Sequence, residues 1–274
     1  MPNKINDIQL VNFLNKIFDR YGYDFRNYAK ASITRRINYF MAKEGIEEIS
    51  ELTSRIIECR KLFKRLLFTI SVTVTEMFRD PDVYTILKKK IIPYLKTYPR
   101  IKIWNAGCAT GQEAYSIAIL LYEAGLYDIT QIYGTDINEK SLDIARNGIY
   151  SNEDIKISTS NYIKHGGQSS FSDYYYTQFG NSIISKKIKK NITFIKHSLS
   201  QGRSFNLFNL ILCRNVLIYF NRELQTKVID LIDGSLMPNG FLCIGTSESL
   251  EYVDKHKKFH GLDHNFNIYQ KIKA

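Results

Sequence analysis

Residues 104–118 read "WNAGCATGQEAYSIA" and contain the strand-to-helix transition that decides the fold. A short apolar strand precedes Gly107 and Gly111, and an apolar helix follows them. Small residues at such a turn let a ligand approach the backbone closely. In open α/β sheets this turn lies at the carboxyl end of a strand, where ligands bind. The stretch therefore predicts a nucleotide-like cofactor at the turn.

The chain after Ile101 repeats this alternation of strands and helices. We predict strands at 102–107, 131–137, 192–198, 208–215, 240–247 and 266–272, and helices at 113–125, 139–150 and 222–236. Short apolar strands that alternate with amphipathic helices are typical of a parallel sheet covered on both faces. The sequence Met237-Pro238-Asn239-Gly240 is expected to end the last helix. We therefore expect an α/β fold.

Two other segments have different patterns. Apolar residues recur with a helical period over 8–18, 32–42 and 51–68, which predicts a small helical N-terminal domain over residues 1–70. The second domain is expected over 71–274. It begins with the junction 71–84 and a charged helix over 84–98, which leads into the strands and helices after Ile101. Residues 151–190 are polar, rich in Ser and Tyr, and without a helical period. They are expected to form an insertion, either a small antiparallel sheet or a mobile loop.

Composition limits the class of protein. The chain has 274 residues, a formal net charge of +11 and 44% hydrophobic residues, as is ordinary for a soluble globular protein. The positive charge attracts polyanions of any kind and selects none of them. The N-terminus lacks the apolar core of a signal peptide, and no apolar run reaches the ~20 residues that cross a bilayer. We expect a cytoplasmic protein without membrane insertion.

Residues that form disulfides or bind metals are scattered. His256, His260 and His264 are spaced by four, but Gly261 makes a continuous helix doubtful, so no metal site is expected. The four cysteines are far apart and are expected to be reduced core residues. They are Cys59, Cys108, Cys213 and Cys243.

Two acidic residues at the predicted turns indicate which cofactor binds. Asp136 ends the second core strand, where a carboxylate accepts both hydroxyls of a ribose. NAD and S-adenosylmethionine both carry such a ribose, but Glu113 would repel a pyrophosphate at the helix start. The α-ammonium and sulfonium of S-adenosylmethionine suit a carboxylate. We favour S-adenosylmethionine, with the alternative that Glu113 only complements the positive end of the helix dipole.

Four separated motifs then resemble one family in order and spacing. They are "TEMFRD" at 75–80, "GCATGQEAYSIA" at 107–118, "GTDIN" at 134–138 and "CRNVLIYF" at 213–220. Together they resemble the CheR family, the chemotaxis methyltransferases that esterify glutamates on chemoreceptors. The resemblance extends over essentially the whole chain. It implies a Rossmann-like methyltransferase sheet with an all-helical N-terminal domain and a small β insertion, which docks an extended receptor tail in some members.

The resemblance also implies functional residues. Arg79 and Tyr219 are the implied catalytic residues, with Arg79 near the methionine end of the cofactor. The implied cofactor-binding residues are Thr75, Arg79, Ala106, Gly107, Glu113, Asp136, Ile137, Ser198, Leu199, Arg214, Asn215 and Tyr219. Three positions depart from the family pattern, Met77, Ser198 and Asn209, and they put the adenine contacts in doubt more than the chemistry.

The implied reaction places few demands on the protein. A glutamate with a pKa of about 4.3 is already ionised at pH 7, so its methylation requires alignment and no general base. Arg79 can hold the acceptor carboxylate, and the cofactor leaves as S-adenosylhomocysteine. The implied partner is the glutamate-rich cytoplasmic helical bundle of a methyl-accepting chemoreceptor. We expect Arg35, which points away from the apolar face of the helix predicted near 32–42, and Arg36 and Lys43, on the flank of that face, to form an outward basic ridge that binds it. The alternative is an ordinary solvated helix face.

Two other functions remain open from the sequence. An RNA methyltransferase would exploit the basic charge, but the strand end that serves amino groups in such enzymes is replaced by "CRNVLIY" at 213–219, so no nucleic acid is expected. A regulatory scaffold would bind S-adenosylmethionine without methylating receptors, and the three departures favour it. A dehydrogenase is the least favoured reading.

Overall fold

Four helices form the N-terminal part of the protein. The computed structural model describes residues 5–72, 75–254 and 256–272. The helices are α1 (Asp7–Tyr21), α2 (Lys30–Glu44), α3 (Ile49–Glu58) and α4 (Arg60–Ile70). They enclose an apolar core of their own, to which Phe13, Ile37 and Leu66 contribute fully buried side chains. The predicted helical character of this part is confirmed.

The stretch 51–68, which has one continuous helical period, is divided at Cys59. This residue has an extended backbone, with φ −114° and ψ 95°, between α3 and α4. The division lets α3 pack on α1 while α4 packs on α2. It also leaves Cys59 exposed, whereas the other three cysteines are buried, and all four are free. The prediction that Cys59 is a core residue is therefore wrong.

The second part is built on a seven-stranded sheet. Its strands are β1 (Ile101–Ala106), β2 (Thr130–Asp136), β6 (Ile192–Lys196), β7 (Phe208–Cys213), β8 (Leu236–Ile244), β9 (Phe259–Asp263) and β10 (Ile268–Lys271). Their order is β6-β2-β1-β7-β8-β10-β9, and the first five are parallel. The chain crosses from one side of β1 to the other before β7. Ligands bind at the carboxyl ends of strands beside such a switch point.

Helices cover both faces of this sheet. They are α5 (Pro81–Ile86), α6 (Ile92–Leu95), α7 (Gln112–Glu123), α8 (Glu139–Asn147) and α11 (Arg222–Ser235), with a π-helical turn, Leu87–Ile91, joining α5 to α6. Separate apolar cores lie on the two faces. The predicted α/β class is confirmed. Thr73 and Val74 of the predicted junction lie outside the described residues.

The sheet departs from prediction near its end. β8 begins at Leu236, directly after α11, and the predicted stop at 237–240 lies within the strand at a register shift opposite Phe208 and Leu210. β9 was not predicted. It contains His260 and pairs antiparallel with β10 across a short turn, because too few residues separate the two strands for a crossover helix. The histidines 256–264 are therefore not aligned on a helix.

The insertion contains a helix that was not predicted. The insertion comprises β3 (Ile149–Ser151), the unpredicted helix α9 (Asn152–Lys164), β4 (Tyr175–Gln178), β5 (Asn181–Ile184) and α10 (Lys186–Lys189). Its three strands lie in the order β3-β5-β4. A capping box between Ser151 and Asp154 starts α9. Few residues of α9 are buried and two of these are polar, Ser158 and Asn161, so the apolar period is weak. The antiparallel sheet was one of the two predicted alternatives.

The two parts meet beside the carboxyl edge of the sheet. The Ala29 N–H donates to the carbonyl oxygen of Tyr219 at 2.8 Å, and the Asn221 N–H donates to that of Asn27 at 2.9 Å. The Tyr28 ring meets the Phe220 ring edge-on at 5.0 Å between centroids. The segment between α1 and α2 is thus fixed against the loop after β7. Among the described residues, no helix is long and apolar enough to span a membrane.

Candidate cofactor and methyl-transfer site

A cavity opens where the strands β1, β2, β6 and β7 end, and its space of about 610 Å³ includes part of the open solvent at its mouth. Most of its wall is apolar, and Asp136 supplies the carboxylate. The lining residues are Tyr28, Ile70, Ser71, Val72, Gly107, Asp136, Ile137, His197, Leu199, Asn215, Val216, Tyr219 and Phe220. We call this the adenosine cavity, after the part of S-adenosylmethionine whose ribose the sequence predicts at Asp136.

A second cavity, of about 460 Å³, adjoins the first and is more polar. The two share Val72, Gly107, Asn215 and Tyr219. The second adds charged and small residues: Thr75, Glu76, Arg79, Cys108, Ala109, Glu113 and Arg214. We call it the polar cavity. The two cavities together therefore form a surface that is mostly apolar at one end and charged at the other.

Asp136 is held by backbone donors and keeps acceptor capacity. One of its oxygens accepts from the Ala109 N–H at 3.0 Å and the other from the Asn138 N–H at 2.9 Å. Burial raises the pKa of Asp136, and these backbone donors oppose that rise. A carboxylate oxygen with one donor retains another lone pair. The two oxygens can therefore accept the two hydroxyls of a ribose, as the sequence predicts.

Glu113 belongs to a buried ionic cluster. Its carboxylate accepts from Arg214 Nη1 and from Asn105 Nδ2, both at 2.6 Å. Nη2 of Arg214 donates to Asp80 Oδ2 at 2.7 Å and to the carbonyl oxygen of Arg79 at 3.1 Å. Burial alone would lower the pKa of Arg214, but the facing carboxylates outweigh burial and raise it. Arg214 is therefore a permanent cation that is already paired.

Arg79 lies beside this cluster, but its guanidinium takes no part in the ion pairs. Its side chain is partly exposed and lines the polar cavity. Within the described residues, its guanidinium has no hydrogen-bond, ion-pair or aromatic partner, whereas its carbonyl oxygen is bound by Arg214. An unpaired guanidinium in a concave site binds a planar carboxylate bidentately. Arg79 is thus available to an anionic ligand, and Arg214 is not.

The loop after β7 depends on a buried carboxylate that the sequence analysis missed. Glu248 Oε2 accepts from the N–H groups of Asn215 at 3.0 Å and Gly245 at 2.5 Å. Its Oε1 accepts from the N–H of Ile218 at 3.2 Å. Burial raises the pKa of Glu248 against these donors. Glu248 therefore fixes Asn215, which has a φ of 58°, and the approach to Tyr219.

Most sequence-predicted residues line one of the two cavities, but four do not. Ala106 ends β1 with a fully buried side chain. Ser198 lies between the lining residues 197 and 199, and its hydroxyl pairs with that of Ser200. Arg35 and Arg36 lie on α2, outside both linings.

The outward basic ridge remains a prediction, and the structure shows where its two adjacent arginines lie. Arg35 is exposed. Arg36 is half-buried, donates to the carbonyl oxygen of Thr69 at 3.3 Å, and lies 5.2 Å from the centroid of the Tyr219 ring. The two side chains diverge because adjacent residues on a helix point about 100° apart. Arg36 thus packs on the site, and only Arg35 faces solvent.

Two of the three departures from the family pattern lie outside the adenosine cavity. Met77 is fully buried in the core. Asn209 accepts from the N–H of Lys102 at 2.8 Å, where it joins β7 to β1. Of the three departures, only Ser198 lies next to residues that line the adenosine cavity, so it is the one that keeps the adenine contacts in doubt.

Several lining residues had no sequence signal. Tyr28 and residues 70–72 come from the N-terminal part and reach the adenosine cavity only through tertiary packing. His197 lines the same cavity, and its ring contacts Trp104 edge-on at 5.4 Å. Burial lowers the pKa of His197. Position at the end of the predicted strand 192–198 was the one available signal for His197.

Comparison with known proteins agrees with this geometry. Residues 73–266 match the family model described as "CheR methyltransferase, SAM binding domain", and residues 8–71 match "CheR methyltransferase, all-alpha domain". "Putative methyltransferase Cher3" of Pseudomonas putida is 41% identical over 265 residues, which cover 97% of both chains. "Chemotaxis protein methyltransferase 1" of Vibrio cholerae is 31% identical over 227 residues, 80% of each chain.

A longer relative carries the same unit. An uncharacterized 104.1 kDa protein of Rhodobacter capsulatus is 27% identical over 238 residues, which cover 84% of this chain and 24% of that protein. The two family models together account for nearly all of the described residues. The chain belongs to the CheR family of S-adenosylmethionine-dependent methyltransferases.

Proposed function

We propose that this protein transfers the methyl group of S-adenosylmethionine to glutamate carboxylates of chemoreceptors. The observation that carries the proposal is the uncommitted guanidinium of Arg79 in the polar cavity. It offers an acceptor carboxylate a partner beside the charged end of the cofactor. The names of the Vibrio cholerae relative and of a second relative from Listeria monocytogenes, both chemotaxis protein methyltransferases, support the same reaction.

The two cavities suggest how the cofactor lies. We assign its ribose to Asp136 and its adenine to the apolar wall formed with Ile137 and Leu199. The α-ammonium lies toward Glu113, whose carboxylate also binds Arg214. The bound cofactor supplies an activated methyl group on a sulfonium. Gly107, Asn215 and Tyr219 line both cavities and so lie beside the reacting atoms.

The protein's task in this reaction is alignment. No histidine lines the polar cavity among the described residues, and an ionised glutamate requires none. Arg79 orients the acceptor carboxylate toward the methyl group, and Tyr219 contributes a hydroxyl or a ring face beside it. Holding both reactants in near-attack geometry lowers the barrier by making the step effectively unimolecular. Glu248 binds the N–H groups of Asn215 and Ile218, and these hydrogen bonds keep the loop that carries Asn215 and Tyr219 in place.

Labelled methyl transfer tests the proposal. Purified protein and S-adenosylmethionine labelled in the methyl group are incubated with receptor-containing membranes in one reaction and with RNA in another. We expect label in the receptor that alkali releases as methanol, because carboxyl esters are base-labile. Label in RNA, or cofactor binding without transfer to any receptor, would contradict the proposal and support one of the two alternatives.

We predict that Asp136→Asn weakens binding of S-adenosylhomocysteine. The variant keeps the size of the side chain but loses the charge that strengthens its hydrogen bonds to the ribose. Charge-assisted bonds contribute about 1.5–3 kcal/mol, which corresponds to roughly 10- to 100-fold in affinity. Isothermal titration calorimetry measures the change, and Asp143→Asn on exposed α8 is the matched control. Unchanged affinity would remove the ribose assignment.

A second prediction concerns the exposed residue of α2. Arg35→Glu is expected to raise the Michaelis constant for receptor about 2- to 5-fold, because a rim charge steers encounter with an acidic partner. It should also flatten the salt dependence of that constant while leaving cofactor affinity unchanged. Arg55→Glu, an equally exposed change on α3, is the control. Arg36 is unsuitable for this test because it contacts Tyr219.

The division of the chain into domains is also part of the proposal. We divide it into a helical domain over 1–70 and a methyltransferase domain over 71–274 with an insertion near 151–190. The outer strand β4 of the insertion has one unpaired edge, where an extended receptor tail could add a strand. Deletion of residues 161–180 would not test this idea, since Tyr162, Phe171 and Tyr174 lie in the core.

A further inference from the structure

The loop that carries Arg79 has an unusual backbone. Phe78 has a φ of 55° and Asp80 a φ of 54°, although neither residue is glycine. Residues other than glycine rarely adopt this left-handed backbone conformation, and they retain it only where surrounding contacts hold it. The position of Arg79 in the polar cavity therefore depends on whatever fixes residues 77–80.

The sheet and its helices supply one set of contacts. The Phe78 N–H donates to Ser116 Oγ at 2.8 Å, from α7. Arg214 binds the Arg79 carbonyl oxygen and the Asp80 carboxylate. These contacts hold the loop from the side of the active site and leave the outer side of Phe78 and Met77 to be covered by another element.

Helix α9 of the insertion covers that outer side. Asn161 Nδ2 donates to the Met77 carbonyl oxygen at 3.2 Å. The His165 ring stacks on the Phe78 ring, with centroids 4.5 Å apart and planes at 10°. Tyr162 meets the same Phe78 ring at 5.3 Å, nearer edge-on. Asn161 and Tyr162 in the last turn of α9 and His165, its C-cap, thus contact two consecutive loop residues.

His165 behaves here as an uncharged aromatic ring. It is 2% exposed, and neither ring nitrogen has a hydrogen-bond partner among the described residues. Burial lowers its pKa, with Glu123 opposing and Lys88 reinforcing the change. Its carbonyl oxygen accepts from Thr85 Oγ1 at 3.1 Å, which ties the end of α9 to α5. A buried imidazole without polar partners contributes through its ring contacts.

We propose that Asn161 and His165 are positioning residues for Arg79, so that helix α9 of the insertion holds the active-site loop in its reactive conformation. The inference rests on the proposed function, and it gives the insertion a role in the chemical step besides any role in docking. Neither residue lines the two cavities, so both act through Met77 and Phe78.

The test compares His165→Ala, His165→Phe and the matched control Ile163→Ala, which alters an exposed residue of the same helix. Each variant is assayed for kcat and KM with receptor membranes and for amide hydrogen exchange over residues 77–80. We expect His165→Ala to lower kcat about 10- to 100-fold with little change in KM for receptor, since small misplacement of an aligning group costs rates of this order. Exchange over 77–80 should accelerate in parallel.

His165→Phe restores an aromatic ring and should recover both kcat and the exchange protection. Unchanged kcat and exchange in His165→Ala, an equal effect of Ile163→Ala, or failure of His165→Phe to recover them would overturn the inference. If His165→Ala does not fold, Asn161→Leu replaces it, because that change removes the donor to Met77 with a side chain of similar size and adds no charge. If the wild type methylates no receptor, the proposed function fails, and exchange over 77–80 still decides the positioning role.

Discussion

Arg79→Ala is expected to lower kcat for receptor methylation by about 10²- to 10³-fold, the cost of removing one preorganised donor at a reacting centre. The fold should remain intact, because the side chain has no partner within the described residues and only its carbonyl oxygen is bound. Single-turnover transfer of labelled methyl measures the rate. Circular dichroism and the thermal midpoint report the fold.

Two further variants sharpen this result. Arg79→Lys keeps the charge but loses the planar fork, so it should recover only part of the lost rate. Arg55→Ala, on a remote face of α3, should leave kcat unchanged. Near-normal turnover in Arg79→Ala would exclude Arg79 from the active site. A large fall in its thermal midpoint would instead show a structural role.

Arg214→Met is expected to show the opposite combination, a large loss of stability together with loss of activity. The Arg214 side chain is 1% exposed and faces Glu113, whose side chain is 13% exposed. Removing one partner of a buried ion pair leaves an uncompensated charge and costs about 3–5 kcal/mol. Asp80 is more exposed, at 35%, so solvent screens its carboxylate and Glu113 dominates the effect.

Urea unfolding at pH 7 measures this loss. The double variant Arg214→Met with Glu113→Gln removes both charges and should regain part of the stability, although not the activity. A loss below about 1 kcal/mol in the single variant would place Arg214 among weak, screened ion pairs. The two sets of variants thus distinguish the expected role of Arg79, which binds the acceptor, from that of Arg214, which holds the site together.

The sequence was most informative where local patterns and motifs coincide. The turn that contains Gly107 joins β1, whose side chains are almost all buried, to α7, which starts at Gln112. This local pattern alone predicted the edge of the sheet at which the cofactor is expected to bind. Asp136 was predicted from its position at a strand end, and the structure places it in the adenosine cavity. In both cases the deciding information lies within about ten residues of chain.

The sequence was least informative where distant segments meet. Glu248 binds the loop that begins at Asn215, 33 residues away, and no local pattern marks that pairing. The packing of Arg36 on Tyr219 joins residues separated by most of the chain. Helix α9 was missed because the face it buries includes the polar residues Ser158 and Asn161, which weakens the apolar period.

The wall that Tyr28 and residues 70–72 contribute to the adenosine cavity links two equilibria. A ligand that contacts both parts of the chain stabilises their docked arrangement by its binding free energy, about 2.7 kcal/mol at a concentration 100 times its dissociation constant. Linkage is reciprocal, so any force that pulls α2 away from Tyr219 must also weaken the hold on the ligand. With the cofactor placed as proposed above, its release after methyl transfer can therefore be accelerated by whatever displaces the N-terminal helices.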